Sequence, residues 1–363
     1  MFSIPWSLIL VPCRFPACED RTMKTLRLTT APRDLARAAE ILRSGSLVAL
    51  PTETVYGLGA NALDPAAVAR IFAAKDRPSW DPVIVHISDT SQLDQLTAEL
   101  PPAAQALIAA FWPGPLTLLL PRSAQVPDAV TAGRPLVGVR MPAHPVAVEL
   151  IRLAGIPIAA PSANRFGHTS PTTAEHVLAD LDGRIDAIVD AGPTLHGVES
   201  TVLDPTQSPL VIYRPGAVTL EQVSTVAGAA VLYEPPPKSK NPESLPSPGV
   251  GIRHYAPRAR LILIEAPDRD LPVALARAAA EHTYSHLGIL LPREFAHAAP
   301  PHATIFDWGS WSAPEELGRR LYAGLRALDS AGCELILCPL PGVQGIGAAL
   351  RDRLQKAAWK DKT

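Results

Sequence analysis

Residues Leu47–His86 read LVALPTETVYGLGANALDPAAVARIFAAKDRPSWDPVIVH, and the order of elements in this stretch decides the fold class. Leu47–Leu50 is a short apolar run with the length and bounding of a buried strand, closed by Pro51. A turn rich in hydroxyls follows (Thr52, Thr54, Tyr56), and it reads as loop through Gly57 and Gly59. Asp64 is placed to cap a helix whose first position is Pro65. Pro78 biases Arg77 away from helical geometry, so the helix ends in Lys75-Asp76-Arg77. Val83–Val85 then reads as a second strand that delivers His86. One strand–loop–helix–strand unit thus gathers hydroxyls, two cations and a histidine. Taken alone, the Lys and Arg fit a capped, solvated helix end equally well.

Working outward, Arg33–Arg43 is expected to be helical, with Leu35, Ala38, Ala39 and Leu42 on one face. Ser88–Leu96, Ala103–Trp112, Pro145–Leu153, Ala174–Leu181 and Leu220–Val226 read as helices. Leu116–Leu120, Leu136–Val139, Ile156–Ala159, Ala187–Val189, Ser200–Leu203 and Leu210–Tyr213 read as strands. Glu234–Gly251, EPPPKSKNPESLPSPGVG, has no periodicity and many prolines, as an exposed linker does. Beyond it, strands (Leu261–Ile264, Leu287–Leu291, Leu335–Cys338) alternate with helices (Pro272–His282, Glu315–Ala331, Ala348–Ala358). Such alternation indicates a small parallel α/β unit. Residues 1–22 are set aside as a non-native or disordered extension, because Met23-Lys24-Thr25-Leu26 reads as a natural start. The expected division is 23–233 for a catalytic domain, 234–257 for a linker and lid, and 258–363 for a C-terminal α/β domain.

Composition narrows the function. Of 363 residues, 47% are hydrophobic and 19% charged, which describes a folded chain with a large core. No stretch reaches the ~18 consecutive apolar residues of a membrane helix. Residues 23–234 carry 15 Lys and Arg against 20 Asp and Glu. That balance argues against a general nucleic-acid binder, whose affinity rests on neutralising phosphates. The four cysteines form no CxxC and have no histidine at ligand spacing, so no metal site is expected and a reducing cytoplasm is.

No G-x-x-x-x-G-K-[ST] occurs, which removes a P-loop. Gly57-Leu58-Gly59-Ala60-Asn61-Ala62 fits G-x-G-x-x-A nominally, but Pro51–Tyr56 intervenes where those glycines should follow the strand directly. Gly345-Ile346-Gly347 is no stronger. Arg140, Ser162-Ala163-Asn164, Glu199-Ser200-Thr201 and Arg214-Pro215-Gly216 all sit at strand ends. Each alone suits a turn or a surface ion pair. Together they put hydroxyls and arginines where α/β folds bind ligands, and Arg suits bidentate capture of carboxylate or phosphate. No Ser-His-Asp order and no carboxylate pair stands out, so the site positions anions and supplies no covalent nucleophile.

The segments PTETVYGLG, AKDRP…PVIVH, WPGPLTLLL, VGVRMPAHP, APSAN…SPTTAEHV, GVESTV and YRPG, in this order, resemble the YrdC-like threonylcarbamoyl-adenylate synthases. Ser247-Pro248-Gly249 and His254-Tyr255-Ala256-Pro257 resemble the long form of that family. The resemblance implies a YrdC-like twisted mixed-sheet α/β domain, then a linker and a small Rossmann-like parallel α/β domain. It implies synthesis of L-threonylcarbamoyl-AMP from L-threonine, bicarbonate and ATP, with Mg²⁺ on the ATP and pyrophosphate released. The product would pass to partner enzymes that modify adenosine beside the anticodon of tRNA. Lys75, Arg77, Ser162 and Asn164 are then expected to be catalytic. Thr54, His86, Arg140, Ala160 and Ser200 would hold threonine. Arg77, Asp81, Leu136, Ser162, Ser170, Arg214 and Tyr255 would hold ATP. Asp81 and Leu136 depart from the family pattern, which usually has Asn at the first position and Thr or Ser at the second. Two other readings share the fold: an RNA- or tRNA-binding module without turnover, and a carbamoyl-transfer maturation factor.

Overall fold

The computed structural model describes residues 24–234, 254–281 and 286–358. The extension 1–22 and residues 235–253 of the expected linker lie outside the described residues. In chain order the first strands are β1 (Leu26–Leu28), β2 (Val48–Leu50), β3 (Gly57–Asn61), β4 (Val85–His86), β5 (Leu116–Pro121) and β6 (Leu136–Arg140). They are followed by β7 (Ile158–Ala159), β8 (Ala187–Val189), β9 (Thr201–Asp204), β10 (Leu210–Arg214) and β11 (Ala230–Leu232). All eleven join one mixed sheet in the order β1-β8-β2-β3-β7-β4-β6-β5-β9-β10-β11.

Residues within a strand alternate between two cores, as the two-residue period of a strand requires. Val48 and Leu50 pack with helices Pro32–Arg43 and Pro145–Ala154 on one face. Ala49 and Leu58 face the other, with helices Pro65–Lys75, Pro102–Phe111, Ala174–Leu181 and Leu220–Ala227.

A second, all-parallel sheet holds β12 (Arg260–Ile264), β13 (Leu287–Pro292), β14 (Thr304–Gly309) and β15 (Leu335–Pro339) in the order β12-β15-β13-β14. Helix Leu271–Glu281 covers one face and helices Pro314–Ser330 and Gly347–Ala357 the other. The chain is therefore α/β throughout, a mixed sheet followed by a small parallel one. The second core is not confined to the C-terminal sheet. Val55, Val198 and Tyr255 are buried in the same cluster as Leu317, Leu321 and Leu350.

Three local expectations are corrected. Gly57–Asn61 is strand, not loop, and pairs antiparallel with β2, Gly59 opposite Val48. A Cβ on Gly59 would stand 2.8 Å from Leu50 Cδ2 and 2.9 Å from Ile158 Cγ2, so glycine serves close strand packing here and not phosphate binding. Ser88–Leu96 is not one helix but a single 3₁₀ turn (Thr90–Gln92) and an α-turn (Leu93–Leu96), with Asp89 capping the first. Strands β11 and β14, read as neither strand nor helix from sequence, complete the edges of the two sheets.

Candidate active site

The site is assembled where β4 and β6 end. These strands are parallel, with His86 in register with Arg140, so the two side chains emerge together. Strand β7 runs antiparallel to β4 and brings Ala160 and Ser162 alongside, Ser162 bridging back to Gly57. Arg214 ends β10 beside the start of β9, where Ser200 lies. The Pro51–Tyr56 turn is fixed by its own hydroxyls. Thr52 Oγ1 donates to Val55 O at 2.6 Å and shares a hydrogen bond with Thr54 Oγ1 at 2.8 Å.

Arg77 reaches the site because helix Pro65–Lys75 stops sharply. Asp64 caps it by accepting from Ala66 N at 2.9 Å. Asp76 takes the left-handed conformation (φ 53°), which short polar side chains tolerate. The Arg77 N–H then reaches back to Phe72 O, closing the helix in a Schellman-type arrangement.

At one end of the site Arg140 is held in place by two hydrogen bonds and an ion pair. Its Nε donates to Gly114 O at 3.1 Å and Nη1 to Thr54 Oγ1 at 2.9 Å. Nη2 lies 2.6 Å from Glu53 Oε1, both side chains being buried, though it is not aligned to hydrogen-bond there. Burial works to raise the Glu53 carboxyl, but the adjoining Arg140 outweighs it, leaving Glu53 below its ordinary value. Burial, then the Arg140 cation, pushes His86 down to about 3, so it is a neutral imidazole. This end offers a compensated ion pair, a neutral ring and the hydroxyls of Thr52, Thr54 and Ser200.

The other end is cationic. Arg214 donates from Nε to Ser200 O and from Nη2 to Ser200 Oγ, both at 3.0 Å. Arg77 pairs with Asp81 at 3.0 Å and donates from Nη2 to Pro82 O at 2.6 Å. Burial raises the Asp81 carboxyl, although Arg77 opposes it. Tyr255 stands over this end, its backbone in the left-handed region (φ 63°), where a bulky residue is strained unless its surroundings hold it. Its hydroxyl is buried and finds no hydrogen-bond partner among the described residues.

One cavity of about 550 Å³ joins the two ends. Thr54, His86, Arg140, Ala160 and Ser200 line it, and so do Arg77, Ser162, Arg214 and Tyr255. The other sequence-derived candidates lie around it. Lys75 is buried, its Nζ donating to Ser162 O at 2.5 Å and also to Asn164 O, so its head ties down the 162–164 loop. Burial, and then neighbouring Arg77, puts Lys75 well below its ordinary value. Asn164 donates to Arg165 O and His168 O. Ser170 donates to Glu199, and Asp81 is held by Arg77. Leu136 is at the opposite end of β6 from Arg140 and packs on Ile84, Leu119 and Val202. A larger cavity of about 1320 Å³ opens at the carboxyl ends of the C-terminal strands. Its charged lining residues, Asp268 and Glu294, are both acidic, which is ill suited to a polyphosphate.

Sequence reasoning assigned no role to Glu53 or Glu199, although both lie inside quoted motifs. A motif shows that a carboxylate is present but not which arginine faces it. Tyr322 and Arg353, which meet Glu199 from the C-terminal helices, carried no local signal at all.

Two family models match consecutive parts of the chain. The Sua5/YciO/YrdC model, described as telomere recombination, matches residues 40–216. The model described as threonylcarbamoyl-AMP synthase, C-terminal domain, matches residues 218–359. The threonylcarbamoyl-AMP synthase of Pyrococcus abyssi is 44% identical over 88% of this chain and 93% of its own. The chain belongs to the threonylcarbamoyl-AMP synthases. The Bacillus subtilis threonylcarbamoyl-AMP synthase is also 44% identical, over 92% of this chain and 95% of its own. Among solved structures, P. abyssi Sua5 complexed with L-threonine superposes with a TM-score of 0.86 at 40% identity, covering 92% of this chain and 97% of the other. Members of the threonylcarbamoyl-AMP synthase family are enzymes, and this chain carries both of the family's domains.

The buried histidines set an acid limit on this synthase fold. His86 lies at about 3 and His176 at about 4, both through burial, against 6.5 ordinarily. Below pH 6.5 the unfolded chain therefore takes up protons that the fold refuses, and stability falls as pH falls. His86 contributes on the order of 1.4 kcal/mol per pH unit, and the half-buried His176 less. Glu199, held at about 2 against an ordinary 4.5, begins to lose its stabilisation only below 4.5. Between 6.5 and 4.5 the histidines therefore lower stability while Glu199 does not yet contribute. Urea unfolding at pH 7.5 and 5.5 is expected to show this loss, and His86→Gln to make it shallower.

Proposed function

We propose that this chain joins L-threonine, bicarbonate and ATP into L-threonylcarbamoyl-AMP, releasing pyrophosphate, to supply N6-threonylcarbamoyladenosine formation beside the anticodon of tRNA. The observation that carries the reading is the divided cavity: a charge-compensated, hydroxyl-lined end that includes Arg140, joined to an end with Arg77 and Arg214. The P. abyssi relative crystallised with L-threonine supports the choice of amino acid.

In this reading the threonine ammonium first gives up a proton to solvent, and the free amine then condenses with bicarbonate to a carbamate with loss of water. A carbamate oxygen attacks the α-phosphorus of ATP, the bond to the β,γ-pyrophosphate breaks, and pyrophosphate leaves. The protein supplies alignment and charge compensation, not a nucleophile. Arg140 receives the threonine carboxylate, and Thr54, His86, Ser200 and the Ala160 backbone shape the rest of that end. Arg77, Arg214 and Ser162 face the phosphates, and the free hydroxyl of Tyr255 meets the nucleotide. Lys75 and Asn164 act one step back, shaping the Ser162 loop; Ser170 and Asp81 do the same for Glu199 and Arg77. Leu136 takes no direct part.

Mg²⁺ would be carried by the triphosphate itself, where it would offset the phosphate charge alongside Arg77 and Arg214. Among the described residues no group of three or more His, Cys, Asp or Glu could hold a metal, and Glu53, Asp81 and Glu199 are each committed to an arginine. Cys333 and Cys338 are buried free thiols, which suits a reducing cytoplasm. No described helix is long and apolar enough to cross a membrane. Pyrophosphate release tests the reading: it is expected only when threonine, bicarbonate and Mg·ATP are all supplied, and release without threonine would defeat it.

A further inference from the structure

We infer that Tyr322 and Arg353, on the C-terminal helices, are positioning residues for the ATP end of the site. They hold the Glu199 carboxylate in a charge-balanced arrangement that lets a polyphosphate bind beside it. The inference rests on the reading of the cavity given above.

Glu199 is an odd residue for such a cavity. It lines the wall next to Ser200 and Arg214, is buried, and as an anion would repel the ligand the arginines attract. Its oxygens are fully taken. Oε1 accepts from Ser170 Oγ at 2.5 Å, while Oε2 accepts from Tyr322 Oη at 2.8 Å and Arg353 Nε at 2.7 Å. Tyr322 and Arg353 are themselves buried and absent from the cavity lining, so they act from behind the wall. The same two groups set Tyr255: the Arg353 guanidinium lies 5.1 Å from its ring centroid, and the Tyr322 ring stacks on it at 5.9 Å. Docking is close where it matters. Gly197 has φ 69°, and a Cβ there would lie 2.5 Å from Gly318 O, so helix Pro314–Ser330 rests on the backbone just before Glu199. Burial raises the Glu199 carboxyl, yet Arg353 and Arg214 outweigh it and bring it to about 2, so the charge that needs compensation is present at neutral pH.

The C-terminal domain is thus electrically part of the active site. Removing Arg353 would leave Glu199 to be offset by Arg214 alone, the same arginine that faces the phosphates; removing the Glu199 charge as well would free Arg214 again. The test uses the full chain as wild type, Arg353→Met, Glu199→Gln and the double variant, with calorimetric titration of Mg·ATP and of threonine, and thermal melting. Arg353→Met is expected to weaken ATP binding about tenfold or more, with threonine affinity within about twofold. Adding Glu199→Gln is expected to recover most of that loss, and Tyr322→Phe to lie between wild type and Arg353→Met. A purely structural role would lower melting temperature and both affinities together. Unchanged ATP affinity in Arg353→Met, or parallel loss of both ligands, overturns the inference. If Arg353→Met does not fold, the double variant decides alone, since it removes both members of the Arg353–Glu199 pair: ATP affinity near wild type supports the inference and its loss overturns it. A wild type that binds ATP but makes no threonylcarbamoyl-AMP removes the proposed reaction and leaves this comparison intact. A wild type that binds no ATP overturns both.

Discussion

Arg140→Ala is expected to abolish measurable threonine binding and to destabilise the fold by about 3–5 kcal/mol. The two losses have separate causes. Arg140 offers its fork to the ligand from the end of β6, and losing a charge-assisted hydrogen bond costs roughly 1.5–3 kcal/mol per contact. Glu53, buried 2.6 Å away, would be left with no cation beside it. Burial would then push its carboxyl up, with only backbone N–H groups opposing the rise. Adding Glu53→Gln to Arg140→Ala removes that orphaned charge, so the pair should regain much of the stability and none of the threonine affinity. Urea unfolding and calorimetry on the single and double variants separate the effects. Recovery of threonine binding in the double variant would show that Arg140 serves only to neutralise Glu53.

Arg77→Ala is the counterpart at the other end. It should weaken ATP binding roughly ten- to a hundredfold while leaving threonine within about twofold. The stability cost should be smaller than at Arg140, because burial already raises the Asp81 carboxyl and an abandoned Asp81 can take up a proton. Asp81→Asn probes the same pair from the other side. It frees the Arg77 charge for phosphate while the Asp81 and Pro82 carbonyls still hold the guanidinium in place. ATP should bind a few-fold more tightly. Weaker ATP binding in Asp81→Asn would mean that the carboxylate orients Arg77 more than it competes for it.

These pairs show what the sequence could and could not convey. The helix at Pro65–Lys75 was legible because Asp64, Pro65 and Pro78 act locally through caps and φ restriction. Strands β2, β5, β6 and β8 were legible because buried strands are apolar runs. Strand β3 was not, since Gly-Leu-Gly-Ala-Asn has poor strand propensity, and only the approach of Leu50 and Ile158 makes those glycines a strand. In β14, Ile305 is 40% exposed at the sheet edge, so the alternation that marks a half-buried strand is blurred. Within the site, the residues at strand ends could be named, but ion pairs between distant segments could not. Arg140 meeting Glu53, or Arg353 meeting Glu199, depends on register and domain docking. Arg353 in particular looks like one more cation on a polar helix, and its burial is decided by the surface of another domain.

The most direct test of the account is to incubate the full chain with Mg·ATP, L-threonine and ¹³C-labelled bicarbonate and to follow the products by mass spectrometry. The account predicts threonylcarbamoyl-AMP carrying one label, formed in step with pyrophosphate and lost in Arg140→Ala. ADP and phosphate in place of pyrophosphate, or an adenylate without the labelled carbon, would contradict it.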